Sequence, residues 1–414
     1  MNRNDRAITG FAMVGHGLVH TYELAVPILL TVWLVEFPVT SATMGTVVAV
    51  GYGLFGIGAL PAGVLVDRFG SRVLIAACTL GMGASFLLLS VLPGVAGIAI
   101  ALAIWGVAAS VYHPAGLTLI SKGVHERGAA FAYHGMAGNV GIVAGPFVTA
   151  LLLLAVEWRV AVVVLAIPGL LAGLVGARVE FDETAAVAAT DGGDAPSADV
   201  DSVSEFLSAS RGVFTVGFLT VFALVMFNGL YYRGILTFLP GLLSEFLAPL
   251  VGTTAGLGPV SEGPLASEFD LSQYLYAGLL AVGIGGQYVA GRLTDAVEPE
   301  RGVAVVLTVL TAVALLFVPA SGSLVPLLVV SVVLGFFLFG MQPLTQATIA
   351  KYSPPEHRGL SFGYTYLAIF GFGALGASVT GAVLTYGSRS LAFLVLAGFA
   401  AAALALAVSL VLRE

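Results

Sequence analysis

Charge is what this sequence has least of. Only 9% of its 414 residues are Asp, Glu, Lys or Arg, against about 25% in an ordinary soluble domain. Hydrophobic residues make up 58%, and the mean hydropathy is +1.03. No protein core could hide so much apolar surface, so a soluble globular fold is excluded and lipid must be the solvent for most of the chain. Cysteine is almost missing too. Cys78, the single one, lies inside an apolar run, so no intrachain disulfide can form and no redox compartment follows from it. Alternation of apolar and polar positions, which a membrane β-barrel needs over about 10 residues, is lacking. Instead, apolar runs of 20 residues or more follow one another almost without interruption. A bilayer core of about 30 Å takes about 20 helical residues per crossing, so the spanning elements are helices.

The motifs of soluble chemistry are absent as well. There is no GxxxxGK[ST] phosphate loop, so coupling to ATP is not expected, and no HExxH, CxxC or nucleophile elbow marks an enzyme. The run Gly51-Tyr-Gly53-Leu-Phe-Gly56 spells GxGxxG, but it sits inside an apolar span with no βαβ alternation and reads as glycine packing. No metal site and no cofactor are expected; only His16 and His20, at i, i+4 with Glu23 behind them, have ligand-like spacing. No nucleic-acid partner is expected either. A short apolar core with a small-residue cleavage site is missing near the start, so the first apolar stretch reads as a membrane helix and not a signal peptide.

What is present is a series of twelve apolar spans, at 8–35, 41–66, 72–92, 95–121, 128–155, 158–178, 213–244, 271–296, 302–320, 323–350, 359–386 and 389–412. With the N-terminus placed in the cytoplasm, thirteen basic residues fall inside (Arg3, Arg6, Arg68, Arg72, Lys122, Arg127, Arg178, Arg211, Arg292, Arg301, Lys351, Arg358 and Arg413) and only Arg159 and Arg389 outside. That asymmetry sets the orientation, with both termini cytoplasmic in a multi-pass plasma-membrane protein. Residues 179–211 are acidic, small and poor in aromatics, the composition of a flexible cytoplasmic linker. They separate an N-terminal six-helix bundle, 1–178, from a C-terminal one, 212–414. Residues 247–270 carry Gly, Pro, Ser and acids but no Lys or Arg, as an external loop can.

The halves repeat. Gly63-Val-Leu-Val-Asp67 matches Gly291-Arg-Leu-Thr-Asp295. His113-Pro114, Lys122, Arg127-Gly128 and Phe131 match Gln342-Pro343, Lys351, Arg358-Gly359 and Phe362 with a two-residue insertion. Pro27 aligns with Pro240, which sets His20 opposite Arg233. Duplicated six-helix halves place binding sites near the midplane between them, where the halves rock about the site. At these residues the chain resembles the major facilitator superfamily of secondary transporters. Gly63 to Asp67, continuing through Arg68, Gly70 and Arg72, is similar to that family's signature loop between helices 2 and 3, with a degenerate copy at Gly291 to Asp295. The resemblance implies a cytoplasmic gate at Gly63, Asp67, Arg68, Arg72, Gly291 and Asp295 that must break during the cycle. Gly141, Gly145 and Pro146 resemble the GxxxGP core of the family's antiporters, although the usual trailing glycine pair is replaced by Thr149-Ala150. The same spacing packs membrane helices generally. Tyr112-His113-Pro114, with His134 and Gly138-Asn139-Val-Gly141, is similar to the fosmidomycin-resistance branch of drug exporters.

A charge buried in a bilayer costs at least about 2.5–3.5 kcal/mol, so such a residue lines a cavity or is paired. His16, His20 and Glu23 follow i, i+4, i+7 spacing and share one face of the first helix. With Arg6 at the cytoplasmic end, a rise of 1.5 Å per residue puts His16 about 15 Å and Glu23 about 25 Å into the membrane. These three are the expected proton carriers, histidine titrating near neutral pH. Arg233 either binds an anionic substrate group or pairs with Glu23; alternatively, Glu23 reaches the outer surface and Arg233 only ties helices together. Substrate contacts are expected from Arg233, His113, His134, Asn139, Asn228, Tyr232, Gln342 and Gln346, with Tyr231, Tyr364 and Tyr366 at similar depth. His113 and His134 are equally compatible with helix packing. The whole reads as a proton-coupled exporter of a small organic, anionic or drug-like compound, working as a monomer. An importer of an organic anion or nutrient is the alternative, and a transport-inactive sensor or membrane enzyme a remote one.

Overall fold

The computed structural model describes residues 1–188, 210–251, 270–294, 296–354 and 358–413. Among the described residues there are twelve long helices: α1 (Arg3–Glu36), α2 (Ser41–Phe69), α3 (Ser71–Val91), α4 (Gly94–Gly123), α5 (Arg127–Leu153), α6 (Trp158–Gly176), α7 (Val216–Val251), α8 (Leu271–Leu293), α9 (Pro299–Ala320), α10 (Leu324–Tyr352), α11 (Leu360–Tyr386) and α12 (Arg389–Val411). Eleven are apolar enough to cross a membrane on length and hydropathy alone. The twelfth, α8, is 23 residues long and more polar, with Gln273, Gln287 and Arg292 along it. Polar residues close several starts: the side chains of Asn2, Thr40, Asp270 and Ser388 accept from the first free amides of α1, α2, α8 and α12, as N-caps do. Gly70, at φ +80°, ends α2 and starts α3 within one residue, a left-handed conformation in which glycine is not strained. The span α4 has a joint at Val111 between Ser110 and Tyr112, and α11 contains a π-helical segment, Leu367–Phe372.

The twelve helices form two pseudo-symmetric six-helix bundles. In the first, α1 packs on α5, α2 on α4 and α3 on α6; in the second, α7 packs on α11, α8 on α10 and α9 on α12. Each pair is its counterpart shifted by six helices, so the duplication seen in the charged turns extends to the packing. Lipid gives helices no hydrophobic reason to associate, and close approach at small residues takes its place. Gly141 lies against the Gly17 backbone, and a Cβ on Gly145 would sit 2.5 Å from the Thr21 carbonyl oxygen. The GxxxGP stretch therefore fastens α5 to α1. Gly51 and Gly56 of the GxGxxG run do the same toward Leu102 and Gly371.

Between the bundles, α2 runs along α11 and α5 along α8, again a symmetric pair of contacts. They are tight at the face away from the N-terminus. There the Ala42 amide donates to Thr385 Oγ1 at 2.9 Å, Gly381 lies on the Ser41 backbone, and Phe147 meets Tyr274 edge-on at 6.2 Å. The opposite face carries Arg3, Arg6, Arg68 and Arg72. Space is open around Gly63 and Gly128, and Asp67 and Arg68 are exposed.

The linker expectation needs correction at its start. Residues 179–188 are docked on the first bundle: Arg72 Nη1 donates to the Val179 carbonyl at 2.7 Å, and Asn4 bonds the Asp182 backbone through both its amide atoms. The Glu183 carboxylate accepts from the Ser71 and Arg72 amides at 2.8 and 3.3 Å. An acid at a helix N-terminus satisfies free donors and meets the positive end of the helix dipole, which composition alone does not reveal. Residues 189–209, like most of the 247–270 stretch, lie outside the described residues; α7 extends to Val251, beyond its expected end at 244.

Gly145→Val should place methyl groups into the Thr21 backbone and lower stability by about 1–3 kcal/mol, as overpacking does, whereas Gly63→Val, in open space, should change little. Thermal unfolding of the detergent-solubilised protein measures both. Equal melting temperatures for the two variants would contradict this packing.

Candidate functional site

The stripe expected on α1 exists, and it points inward. Glu23 and Arg233, 1% and 2% exposed, form an ion pair through Glu23 Oε1 and Arg233 Nη2. It joins α1 of the first bundle to α7 of the second. Each residue precedes a proline in its own helix, Pro27 or Pro240. The guanidinium lies 3.9 Å from the Tyr52 ring centroid, 5.3 Å from that of Phe370 and 5.4 Å from that of Tyr232. Aromatic faces attract a desolvated cation, by about 2 kcal/mol or more in such settings. The Tyr52 hydroxyl donates to the Glu23 carbonyl at 2.9 Å, which fixes the ring beneath the arginine. Of the two roles open to Arg233, this arrangement takes the pairing with Glu23. Neither residue reaches the lipid or the outer surface.

From Glu23 a chain of histidines runs toward the basic face. His20 Nδ1 is 2.7 Å from Glu23 Oε2, and His16 Nδ1 is 2.8 Å from the His134 carbonyl oxygen. A carbonyl and an ionised carboxylate can only accept, so both Nδ1 atoms carry the hydrogen, and in the neutral rings both Nε2 atoms are left with a lone pair. Those two Nε2 atoms face each other at 3.1 Å. Two lone pairs at that distance repel, so the contact calls for a positive charge between them, either one shared proton or a cation. His134 stacks on His16 with centroids 3.9 Å apart, and its own Nε2 is 3.2 Å from the Tyr112 hydroxyl, which donates to the Ala12 carbonyl. His113 lies edge-on to His16 at 5.2 Å and stacks on Tyr366 at 5.5 Å. Its Nε2 is buried with no hydrogen-bond partner.

This network forms one wall of a cavity of about 120 Å³ between the bundles. Among the expected site residues, His20, Glu23, His113, Asn228, Tyr232, Gln342 and Gln346 line it. Arg233, His16 and His134 do not; they are buried behind that layer. Asn139 is half-buried on α5 and lines no part of it, because the α5 face turned to α1 belongs to Gly138, Gly141 and Gly145. Of the tyrosines, Tyr366 lines the cavity, Tyr231 is buried in the second bundle near Leu310, and Tyr364 bonds Ser210 Oγ at 2.8 Å. Phe339, Thr345, Thr365 and Phe370 on the walls, and Tyr52 beneath the arginine, were not among the expected residues. Tyr52 was hidden inside the GxGxxG run. A second recess of about 640 Å³ opens at the far face, with Glu36, Glu245 and Asp270 around it and Thr237, one turn beyond Arg233, at its floor.

Of the expected gate residues, Gly63, Asp67 and Arg68 are exposed. Asp67 meets Lys122 of its own bundle at 3.2 Å, with the two side chains 65% and 49% exposed, and Arg68 rests over the Phe69 ring at 5.3 Å. Arg72 holds the docked linker. In the second bundle Lys351 reaches Glu298 and Glu300, both at 2.6 Å, which mirrors Lys122. A Cβ on Gly291 would sit 4.0 Å from Pro343 Cβ; Asp295 lies outside the described residues.

The Major Facilitator Superfamily model matches residues 11–263 and 253–414. No curated protein sequence matches the chain. Among solved structures, a bacterial homolog of the human lysosomal transporter Spinster, inward-facing and unoccupied, aligns with a TM-score of 0.68 at 14% identity, covering 100% of this chain and 96% of that one. The nucleoside transporter NupG aligns with a TM-score of 0.70 at 12% identity, covering 98% of each chain. At such identities the structures share the fold alone; the family match names the superfamily and not the fosmidomycin-resistance branch. The chain belongs to the Major Facilitator Superfamily, and it is a membrane transporter, not an enzyme.

Proposed function

We propose that the protein is a proton-coupled antiporter that exports a small organic compound from the cytoplasm by alternating access, as a monomer in the plasma membrane with its basic face and both termini inside. The observation that carries this reading is the position of Glu23: it is the one acid lining the cavity among the described residues, and it is held at once by His20 in its own bundle and by Arg233 in the other. A proton on Glu23 cancels the charge that binds Arg233. Opening the far face pulls α1 from α7, so the open state and the protonated carboxylate favour each other. Re-forming the ion pair expels the proton toward His20 and His16, which lead to the basic face. The acidic recess above Thr237 supplies a route for protons from outside. A device that takes protons in on one half-cycle suits export on the other.

The cargo follows from the walls. No Lys or Arg lines the cavity among the described residues, and the guanidinium behind it is already paired. The rings of Tyr232, Phe339, Tyr366 and Phe370 offer stacking faces, while Gln346 and the buried, unpartnered Asn228 Oδ1 offer hydrogen bonds. A compact compound with an apolar or aromatic body and one or two polar edges, of the drug-like kind, fits better than a fully ionised anion.

Glu23→Gln in proteoliposomes should retain substrate counterflow but lose accumulation driven by a proton gradient, by about 5–150-fold, the span of coupling energies of about 1–3 kcal/mol. Undiminished uphill transport would exclude the proton role, and a gradient that drives substrate in with protons would make the protein an importer. Orientation is tested separately. Arg68→Cys, exposed beside the buried native Cys78, should react with an impermeant maleimide only after the cytoplasmic side is opened; labelling of intact cells would reverse the topology.

A further inference from the structure

We propose that His16, His20 and His113 form a binding site for a divalent transition-metal ion such as zinc or cobalt. The three residues each bring an imidazole nitrogen, and these atoms lie within 4.8 Å of one another. His16 and His20 stand at i, i+4 on one face of α1, and His113 faces them from α4, with ring centroids 5.2 and 5.6 Å away. All three are no more than 9% exposed, yet His20 and His113 line the central cavity, which gives an ion a way in.

The hydrogen bonds around the rings are those of a ligand set. A metal-binding histidine almost always gives its other N–H to a carbonyl or carboxylate, which fixes the tautomer and aims the free nitrogen. His16 does so to the His134 carbonyl and His20 to Glu23, and the two freed Nε2 lone pairs converge at 3.1 Å. The third nitrogen, His113 Nε2, is buried and has no hydrogen-bond partner. Tetrahedral Zn–N bonds of about 2.0–2.1 Å put neighbouring nitrogens about 3.3 Å apart. The α1 pair already meets that spacing, and the widest separation must close by about 1.5 Å, a swing an imidazole makes about its Cβ–Cγ axis. His134 is not a ligand, since Tyr112 engages its Nε2. Three neutral nitrogens leave one coordination position for water, the open arrangement of a non-structural site. The lone pairs that would hold the ion are those that would share a proton, so occupancy and relay exclude each other. The site stands on coordination chemistry and is independent of the direction or coupling of transport.

The test is a Co²⁺ titration of the full-length protein in detergent, its affinity tag removed, followed by visible absorption. One Co²⁺ per chain with the intense bands of tetrahedral coordination, displaced by Zn²⁺, is expected. His113→Gln should weaken binding at least about 10-fold, and His125→Gln, at a half-exposed surface histidine, should leave it unchanged. X-ray absorption of the Zn²⁺-loaded wild type keeps the test valid if a variant misfolds: it should count three imidazole nitrogens at about 2.0–2.1 Å. Weak octahedral Co²⁺ spectra, binding that survives His113→Gln, or fewer than three imidazoles on zinc would overturn the site and leave a shared proton as the charge between His16 and His20.

Discussion

One buried ion pair carries the connection between the two halves of this transporter. Glu23 and Arg233 sit 210 positions apart in the chain and touch between the two bundles. Removing either partner of such a pair costs about 3–5 kcal/mol, because the other is left as an uncompensated charge. In lipid the penalty cannot be relieved by water except through the cavity. On the proposed function, the pair is a clasp that holds while both charges are present and opens when one is cancelled. Its surroundings follow from that requirement. Tyr52, Tyr232 and Phe370 give the guanidinium aromatic faces in place of solvent, and His20 takes the carboxylate oxygen that Arg233 leaves free.

The rest of the fold makes the clasp movable. Within each bundle, glycines bring helix backbones into close contact. Between bundles, contact runs mainly along the α2–α11 and α5–α8 pairs beside the clasp itself, and it includes the Ala42–Thr385 hydrogen bond at the far face. The bundles are in contact at the far face, while Asp67 and Arg68, expected as gate residues, are exposed at the basic face. The π-helical segment of α11, Leu367–Phe372, lies where Phe370 meets both the cavity and Arg233. Such irregular turns are frequent at functional sites within helices.

Much of this was legible in the sequence, because membrane proteins write their architecture in hydropathy. The twelve spans and the six-and-six division follow from apolar run length, and the symmetric helix pairs from the duplicated turns. The α1 stripe was legible for the same reason: three ionisable groups at i, i+4, i+7 on an apolar helix have to face inward. What stayed hidden depended on tertiary contact. The Pro27–Pro240 register set α1 against α7 but left open whether Glu23 met Arg233. Tyr52 looked like filler between glycines, and Asn139 looked like a cavity residue because its polarity was visible while its rotation on α5 was not. Residues 179–188 read as linker by composition, although Glu183 and Asn4 dock them. The convergence of His113 from α4 on the α1 pair has no signature in spacing, since the joint at Val111 sets it.

The central claim is that loss of charge on Glu23 releases the far face. Spin labels at Ala42 on α2 and Thr385 on α11, whose backbone and side chain are now in hydrogen-bond contact, report that opening directly by pulsed electron resonance. Glu23→Gln should shift the distance distribution from one short population toward a longer one at neutral pH, and acidification should do the same to the unsubstituted protein. A single short distance in the variant at every pH would contradict the account.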